Sequence, residues 1–141
     1  MRYAGNPNKA VLHLLLTGVV LLFAACSSLE QAGMNKKLQL QLQSYDHAVR
    51  WGDLEEMYAF VKPGDEPLVV PGGLANVRVT AYEPLTTITE AQGRKVRRRV
   101  KIQSLHRDRQ VVKTLIDEQL WEYDDKLEQW FRVNPPPGFS E

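Results

Sequence analysis

The sequence contains one cysteine, Cys26, among its 141 residues, so no second thiol is present to close a disulfide. Small exported domains often depend on disulfides, and this chain has to rely on an apolar core instead. The part of the chain from the cysteine onward, residues 26–141, is long enough to form one such core and too short to form two. The scarcity of cysteine therefore predicts a single domain that is stabilised by packing.

Histidine is also scarce, and His47 and His106 are the only histidines after residue 25. The chain has neither a His-x-x-x-His spacing nor a cysteine pair with which to hold zinc. It has no Gly-x-Ser-x-Gly elbow, and Pro71-Gly72-Gly73 is not followed by the Lys-Ser/Thr pair of a phosphate loop. We therefore expect no metal, no cofactor and no catalytic set of the common covalent or nucleotide-dependent types.

Charge is distributed unevenly along the chain. Residues 1–25 hold Arg2 and Lys9 and no acidic residue, while the remainder has one more acidic than basic residue. Neither nucleic-acid binding nor a general attraction to anionic lipid follows from such a balance. We expect no nucleic-acid partner.

An apolar run from Ala10 to Ala25 follows these basic residues and is interrupted only by His13 and Thr17. The run is shorter than the roughly 20 residues that cross a bilayer as a helix, and it ends on small residues. A basic start followed by a short apolar run is typical of a secretory signal. The pattern predicts a cleaved signal peptide over residues 1–25.

The stretch "LFAAC", residues 22–26, resembles the lipobox of bacterial lipoproteins, with Phe23 where that family usually has leucine. The resemblance implies that the Cys26 thiol receives a diacylglycerol and that the cleaved cysteine then becomes an acylated N-terminus, carrying fatty acids such as palmitate. Ser27 follows in place of aspartate, which implies delivery to the outer membrane. Several acyl chains on one residue anchor a protein stably. The alternative is an ordinary signal peptide or N-terminal anchor with an incidental cysteine.

Residues 26–37 have little apolar content and include Gly33, so we interpret them as the lipidated cysteine and a tether. Apolar residues then recur at intervals of three and four and predict a helix, namely Leu38, Leu42, Tyr45 and Val49. His47 lies opposite this stripe and is expected to face solvent. Gly52 is expected to end the helix in a left-handed conformation, with Asp53 and Glu56 forming a capping box for a second helix.

After a loop rich in proline and glycine, the apolar period falls to two. The alternation predicts four antiparallel strands joined by hairpins, over residues 77–89, 96–102, 111–121 and 130–133. Pro84 interrupts the first strand, where a bulge would let it bend. The order of elements predicts an α+β domain in which two N-terminal helices pack on a curved four-stranded antiparallel sheet.

Two stretches, "SYDHAVRWGDLEEMYAFVKP" and "LWEYDDKLEQWFRVNPPPGF", resemble a known superfamily when taken with the four strands. From residue 38 to residue 139 the chain is similar to small lipoproteins of the nuclear-transport-factor-2-like superfamily. The resemblance implies a cone-shaped, cystatin-like α+β fold. Some members are isomerases or dehydratases that act in the pocket of the cone, while others only bind or pair, so the fold leaves the function open.

Charged residues on the inner face of the predicted sheet raise the question of catalysis. Asp117 and Glu118 stand between apolar residues, so one of them points inward, and Arg98 lies between two valines that we expect to be buried. An inward carboxylate is either a proton-transfer group with a raised pKa or an ion-pair partner for Arg98. We favour a buried ion pair of Arg98 with Asp117 or Glu118, because burying an unpaired arginine costs several kcal/mol.

The outward side of the second strand carries the basic residues Arg97, Arg99 and Lys101. Arginine pairs well with phosphate and carboxylate, so this face is a candidate for binding an anionic glycan or an acidic protein. The alternative is a solvated strand whose charges prevent edge pairing.

These observations predict a lipid-anchored protein of the cell envelope, located at the outer membrane and facing the periplasm. We expect a non-catalytic binding or assembly module with an envelope protein or a glycan as partner. One alternative is a small pocket enzyme of the isomerase or dehydratase kind that uses Asp117 or Glu118 as general base. Another is a structural subunit that forms a homodimer through its sheet. A filled interior favours the module, and an open pocket with an unpaired inward carboxylate favours the enzyme.

Overall fold

The structure is a computed structural model that describes residues 7–139, with side chains described from Ser28 onward. It divides into two compact units, Met1–Asn35 and Lys36–Glu141. The predictions of a signal peptide over residues 1–25 and of lipidation at Cys26 fall outside the residues whose side chains are described. Within the described part of the chain, no helix has both the length and the hydropathy required to cross a membrane.

One long helix, α1, runs from Pro7 to Trp51. Residues 28–37, which belong to the tether predicted over residues 26–37, are helical. Most of them are good helix formers, and Gly33 alone costs only about 1 kcal/mol within a helix. The side chains of Gln31 and Asn35, one turn apart, are joined by a hydrogen bond of 3.2 Å.

Within the second unit, α1 presents the apolar face that its spacing predicts. Tyr45 and Val49 are buried and belong to the core, whereas His47 and Trp51 are exposed. The helical period therefore assigned the inward and outward sides of this segment correctly.

Gly52, at the end of α1, does not adopt the predicted left-handed conformation, since the positive φ values among the described glycines are at Gly73 and Gly93. Glycine is favoured at position 52 for a different reason. A Cβ built there would lie 2.6 Å from the Glu56 carboxylate and 3.0 Å from the Ala48 carbonyl oxygen. Close approach of the chain, and not backbone handedness, accounts for this glycine.

The second helix is a short 3₁₀ helix, Leu54–Phe60. The predicted capping box is absent from it, because the Asp53 side chain makes no capping hydrogen bond. The Glu56 N–H instead donates to the Asp53 carbonyl at 2.8 Å, the three-residue bond that defines a 3₁₀ turn. The helix still buries Leu54, Met57 and Tyr58, which holds it on the domain.

Four antiparallel strands form an open sheet in the order β1-β2-β3-β4. The strands are Val77–Glu90 (β1), Lys95–His106 (β2), Val111–Asp124 (β3) and Gln129–Arg132 (β4). The predicted α+β class with a four-stranded antiparallel sheet is confirmed. The register of β1 against β2 shifts between Pro84 and Thr86, where the sequence predicts a bulge, and also between Val79 and Ala81.

The helices pack on one face of the sheet around a shared apolar core. The Tyr45 ring meets the Trp121 ring edge-on with centroids 5.4 Å apart, and it meets the Phe60 ring in the same way at 5.3 Å. Each such aromatic pair contributes about 0.5–1.5 kcal/mol beyond the burial of its area. The packing also directs the Tyr45 hydroxyl toward the polar side chains of the sheet.

Candidate functional site

A buried arginine–aspartate pair joins β4 to β3. The Arg132 and Asp117 side chains are each 1% exposed, and Arg132 Nη2 lies 2.7 Å from Asp117 Oδ1. A second bond runs from Arg132 Nη1 to Asp117 Oδ2 at 3.0 Å, so the contact is bidentate. Arg132 Nη1 also donates to the Tyr45 hydroxyl. Burial opposes the charge of Arg132, yet the bonds to Asp117 and Tyr45 raise its pKa above the usual value.

A second arginine–aspartate pair joins β2 to α1. Arg98 donates to both carboxylate oxygens of Asp46, at 2.7 Å and 2.8 Å. The Arg98 side chain is 7% exposed and the Asp46 side chain 26%, so this pair reaches the solvent at its helical end. Burial again opposes the charge, while the hydrogen bond to Asp46 and the nearby Tyr82 raise the pKa of Arg98.

Tyr82 and Gln119 connect the two ion pairs. The Tyr82 hydroxyl donates to Asp46 at 2.6 Å and accepts from the Gln119 amide at 3.0 Å. The same amide nitrogen donates to Asp117 at 2.8 Å, while the Gln119 oxygen accepts from the Trp121 ring N–H at 3.2 Å. Burial raises the pKa of Tyr82 above its usual value, so its hydroxyl stays protonated and able to donate.

We call this set the inner polar network, and its members are Tyr45, Asp46, Tyr82, Arg98, Asp117, Gln119 and Arg132. Burial raises the pKa of Tyr45 well above its usual value, so this hydroxyl is also neutral. Buried polar groups stabilise a fold only when each has its partners, and each member of this network has at least one. The network therefore fixes how α1 sits on the sheet.

The partners that the sequence predicted for Arg98 are wrong. Asp117 does point inward, but it pairs with Arg132, and Arg98 pairs with Asp46. Glu118 points outward with its side chain 69% exposed, 3.4 Å from Arg99. Neighbouring residues on a strand face opposite sides, so only one of the two acids was able to enter the interior.

The sequence analysis did not predict that Asp46 and Arg132 belong to the interior, although the position of each in the apolar pattern indicates it. Arg132 lies two residues after Trp130, which places both on the same face of β4 by the period of a strand. Asp46 lies four residues after Leu42 and therefore borders the apolar stripe of α1. A charged residue that shares a face with core residues needs a partner of opposite sign.

The outer face of the sheet carries four cross-strand ion pairs. Their shortest distances are 2.7 Å for Lys95–Glu122, 3.6 Å for Arg97–Glu90, 3.4 Å for Arg99–Glu118 and 2.9 Å for Lys101–Glu83. Each residue of the predicted anion-binding face therefore has a carboxylate beside it on a neighbouring strand. A free anion would have to compete with these tethered carboxylates for the three basic residues.

Exposed apolar side chains stand between these ion pairs. Ile88 is 48% exposed, Ile116 42% and Leu120 37%. The register places Ile88 opposite Arg97, and Arg97 opposite Leu120, so one row across three strands is apolar, basic and apolar. The outer face thus combines apolar contact area with charges of both signs.

Within the described residues, no group of three or more His, Cys, Asp or Glu side chains is arranged to hold a metal ion. Comparison of the chain with protein-family models, with curated proteins and with solved structures finds no match. The functional argument therefore depends on the side chains themselves.

Proposed function

We propose that the chain is a lipid-anchored protein of the bacterial cell envelope whose second unit is a non-catalytic, protein-binding module. The observation that best supports a non-catalytic module is that both carboxylate oxygens of Asp117 already accept hydrogen bonds from neighbouring side chains. The outer membrane, with the domain facing the periplasm, is the proposed location. The lipobox-like stretch that ends at Cys26 supports the lipid anchor.

The interior offers no free general base among the acids that the sequence singled out. Both oxygens of Asp117 accept bonds from Arg132, and Oδ2 accepts another from Gln119. A general base needs a lone pair that faces the proton it removes. Glu118 lies on the outer face beside Arg99. This arrangement supports a binding module over an isomerase or dehydratase.

We place the proposed binding surface on the outer face of the sheet, around Ile88, Ile116 and Leu120. Protein interfaces combine a central apolar area with arginine and a polar rim. Here Arg97 and Arg99 border the apolar residues, and in each of the four ion pairs the basic side chain is balanced by an acidic one. A region of mixed and balanced charge suits a protein surface with charges of both signs better than it suits a polyanion.

The finer features of the fold are proposals as well. The order of a helical region followed by a four-stranded antiparallel sheet supports a nuclear-transport-factor-2-like domain. In that arrangement the face of the sheet beneath the helices forms the inside of the cone. Trp121, Tyr45 and Met57 are fully buried there, which supports a filled cone.

Site-specific photocrosslinking in living cells tests the proposed surface. A photoreactive residue replaces Leu120 on the outer face or, as a matched control, the exposed Leu40 on α1, which is 55% exposed. We expect one discrete adduct from position 120 and none from position 40. Ile88→Glu, which places a charge in the same row, should remove the adduct at position 120.

The mass of the adduct separates the two kinds of partner. An adduct of twice the mass of the chain identifies a second copy, as in the homodimer alternative, and any other mass identifies a different envelope protein. Equal adducts from both positions, or no adduct from position 120, would contradict the proposed surface.

A further inference from the structure

The third strand is longer than the strand that covers its edge. β3 runs over Val111–Asp124, whereas β4 pairs only with its last part, from Trp121 to Asp124. On its other side β3 pairs with β2 without any shift in register. The part of β3 before residue 119 therefore belongs to the edge of the sheet, and it is a regular strand.

The backbone of Leu120 shows which residues face this edge. Its N–H donates to the side-chain oxygen of Asn134 at 2.8 Å, and its carbonyl accepts from the Val133 N–H at 2.9 Å. The backbone groups of alternate residues in a strand point to the same side. The residues of the uncovered stretch with this orientation are Val112, Thr114 and Ile116. Within the described residues, no hydrogen bond is found for their backbone N–H and carbonyl groups.

The chain itself ends β4 short of this stretch. The Asn134 side chain donates to the Glu118 carbonyl, so one amide side chain takes the place of a further strand residue. Arg132 donates to the carbonyls of Asn134 and Pro135 and so directs the chain toward the inner polar network. Residues 135–137 are all prolines, which have no N–H to pair with β3. The edge of β3 before Glu118 is thus left uncovered by β4 and by the prolines that follow it.

This stretch lacks the usual protection of an exposed edge. On its outer side Val112 is 61% exposed and Ile116 42%, and Thr114 between them is also exposed. All three are β-branched residues, which pair well across strands. The opposite edge, β1, is interrupted by Pro84 and by two register shifts, whereas β3 has neither. Proteins commonly interrupt or bury an edge that is to stay unpaired, so this edge is suited to receive a strand.

A second copy of β3 fits this edge in one register. When two identical strands pair antiparallel in one sheet, side chains opposite each other share a face, so one residue lies opposite its own copy. Lys113 at this centre would place two like charges directly opposite each other. Leu115 at the centre would bring the second copy to the Glu118 carbonyl, which already accepts from Asn134. Thr114 avoids both conflicts, and centres nearer either end of the stretch would pair fewer residues.

We propose that two copies of this chain pair antiparallel along the free edge of β3, with Thr114 opposite Thr114 of the second copy. Val112 of each copy then lies opposite Ile116 of the other, so these exposed side chains cover each other. Each of the three pairs exchanges two backbone hydrogen bonds. The four strands of each copy become one continuous sheet. Because the contact uses an edge, it leaves Ile88 and Leu120 on the outer face accessible and does not depend on the binding surface proposed above.

Amide hydrogen exchange of the unmodified, purified full chain tests this contact. The protein is diluted in steps in detergent, with micelles in large excess so that two copies do not share a micelle by chance. We expect the N–H groups of Val112, Thr114 and Ile116 to be protected at high concentration and to lose protection as light scattering reports dissociation of the dimer. The N–H groups of Lys113 and Leu115 face β2 and should stay protected throughout.

A charge exchange at position 114 tests the register. Thr114→Lys or Thr114→Glu alone places two like charges opposite each other and should weaken the dimer about five-fold at low salt. An equal mixture of the two variants brings opposite charges together and should regain the affinity of the unmodified chain. Thr89→Lys makes the same change at an exposed threonine of β1 and should leave the affinity unchanged.

The exchange experiment needs no variant, so it remains decisive even if a variant fails to fold. Rapid exchange at residues 112, 114 and 116 at every concentration would overturn the contact, and so would protection that does not change on dilution. A dimer of the unmodified chain whose affinity is not regained in the mixture of the two charged variants would overturn the register centred on Thr114.

Discussion

Replacing Arg132 by methionine should destabilise the protein strongly. Methionine keeps much of the side-chain length but leaves the charge of Asp117 without its partner, in a place where both side chains are 1% exposed. Removing one partner of a buried ion pair costs about 3–5 kcal/mol. Arg132 also donates to the carbonyls of Asn134 at 3.0 Å and Pro135 at 2.8 Å, which lose their donor, so we expect the upper end of this range.

The matched change at the other ion pair should cost less. Arg98→Met leaves Asp46 without its arginine, but the Asp46 side chain is 26% exposed and can be hydrated. Loss of hydrogen bonds to such a charged group costs about 1.5–3 kcal/mol. The difference in the free energy of unfolding between Arg132→Met and Arg98→Met therefore measures how much burial increases the cost of breaking an ion pair.

Double-mutant cycles then test which acid belongs to which arginine. Arg132→Met combined with Asp117→Asn should show a coupling energy near the upper end of about 0.5–3 kcal/mol, because these side chains are in direct contact. Arg98→Met with Asp46→Asn should also couple, whereas Arg98→Met with Asp117→Asn should couple less, since only Tyr82 and Gln119 connect that pair.

Denaturant unfolding followed by tryptophan fluorescence measures these energies. Trp121 and Trp130 are 0% and 1% exposed and should respond to unfolding, while Trp51 is 69% exposed and should contribute a nearly constant background. Midpoints and slopes from the purified full chain give the free energy of unfolding for each variant. A larger coupling of Arg98 to Asp117 than to Asp46 would refute the network and restore the pairing predicted from the sequence.

Three further predictions concern single positions. Cys26→Ala should leave an uncleaved precursor without acyl chains, and recovery of the variant as mature protein in outer-membrane fractions would contradict the lipid anchor. Gly73→Ala should cost about 1–2 kcal/mol in thermal or denaturant melts because Gly73 has a φ of +85°. The control Gly64→Ala, with open space and no positive φ, should stay within about 0.5 kcal/mol. The hydrogen bond from Lys62 lowers the pKa of Asp124, so Lys62→Ala should raise it toward the usual value in an NMR titration. The pair stabilises the fold at neutral pH and stops doing so as the pH falls through this lowered pKa.

The sequence predicted the faces of the elements well, because a face depends on local period alone. Alternation along β2 put Arg98 inward and Arg97 and Arg99 outward, and the structure has them so. The helical spacing of α1 likewise separated Tyr45 from His47. Each of these assignments needs only the geometry of one strand or one helix.

The pairings were not predictable in the same way, because they depend on how elements meet. Asp46 and Arg98 are 52 residues apart in sequence, and their contact requires α1 to pack on the sheet so that Asp46 lies over Arg98 of β2. Asp117 and Arg132 require the short strand β4 to pair with β3 in one particular register. The hydrophobic pattern states which residues are inside, and it does not state which of them touch.

The edges of the sheet bear on the location of the proposed binding surface. Part of the β4 edge is covered, because Val61 bridges to Arg132 and the Lys62 N–H donates to the Arg132 carbonyl at 2.8 Å. The β1 edge has no neighbouring strand within the described residues, but Pro84 and two register shifts interrupt it. Such irregularities are how proteins prevent edge-to-edge pairing. The inner polar network and the apolar core occupy the face of the sheet beneath the helices, and the β1 and β4 edges are obstructed. These observations are why we propose the outer face as the binding surface.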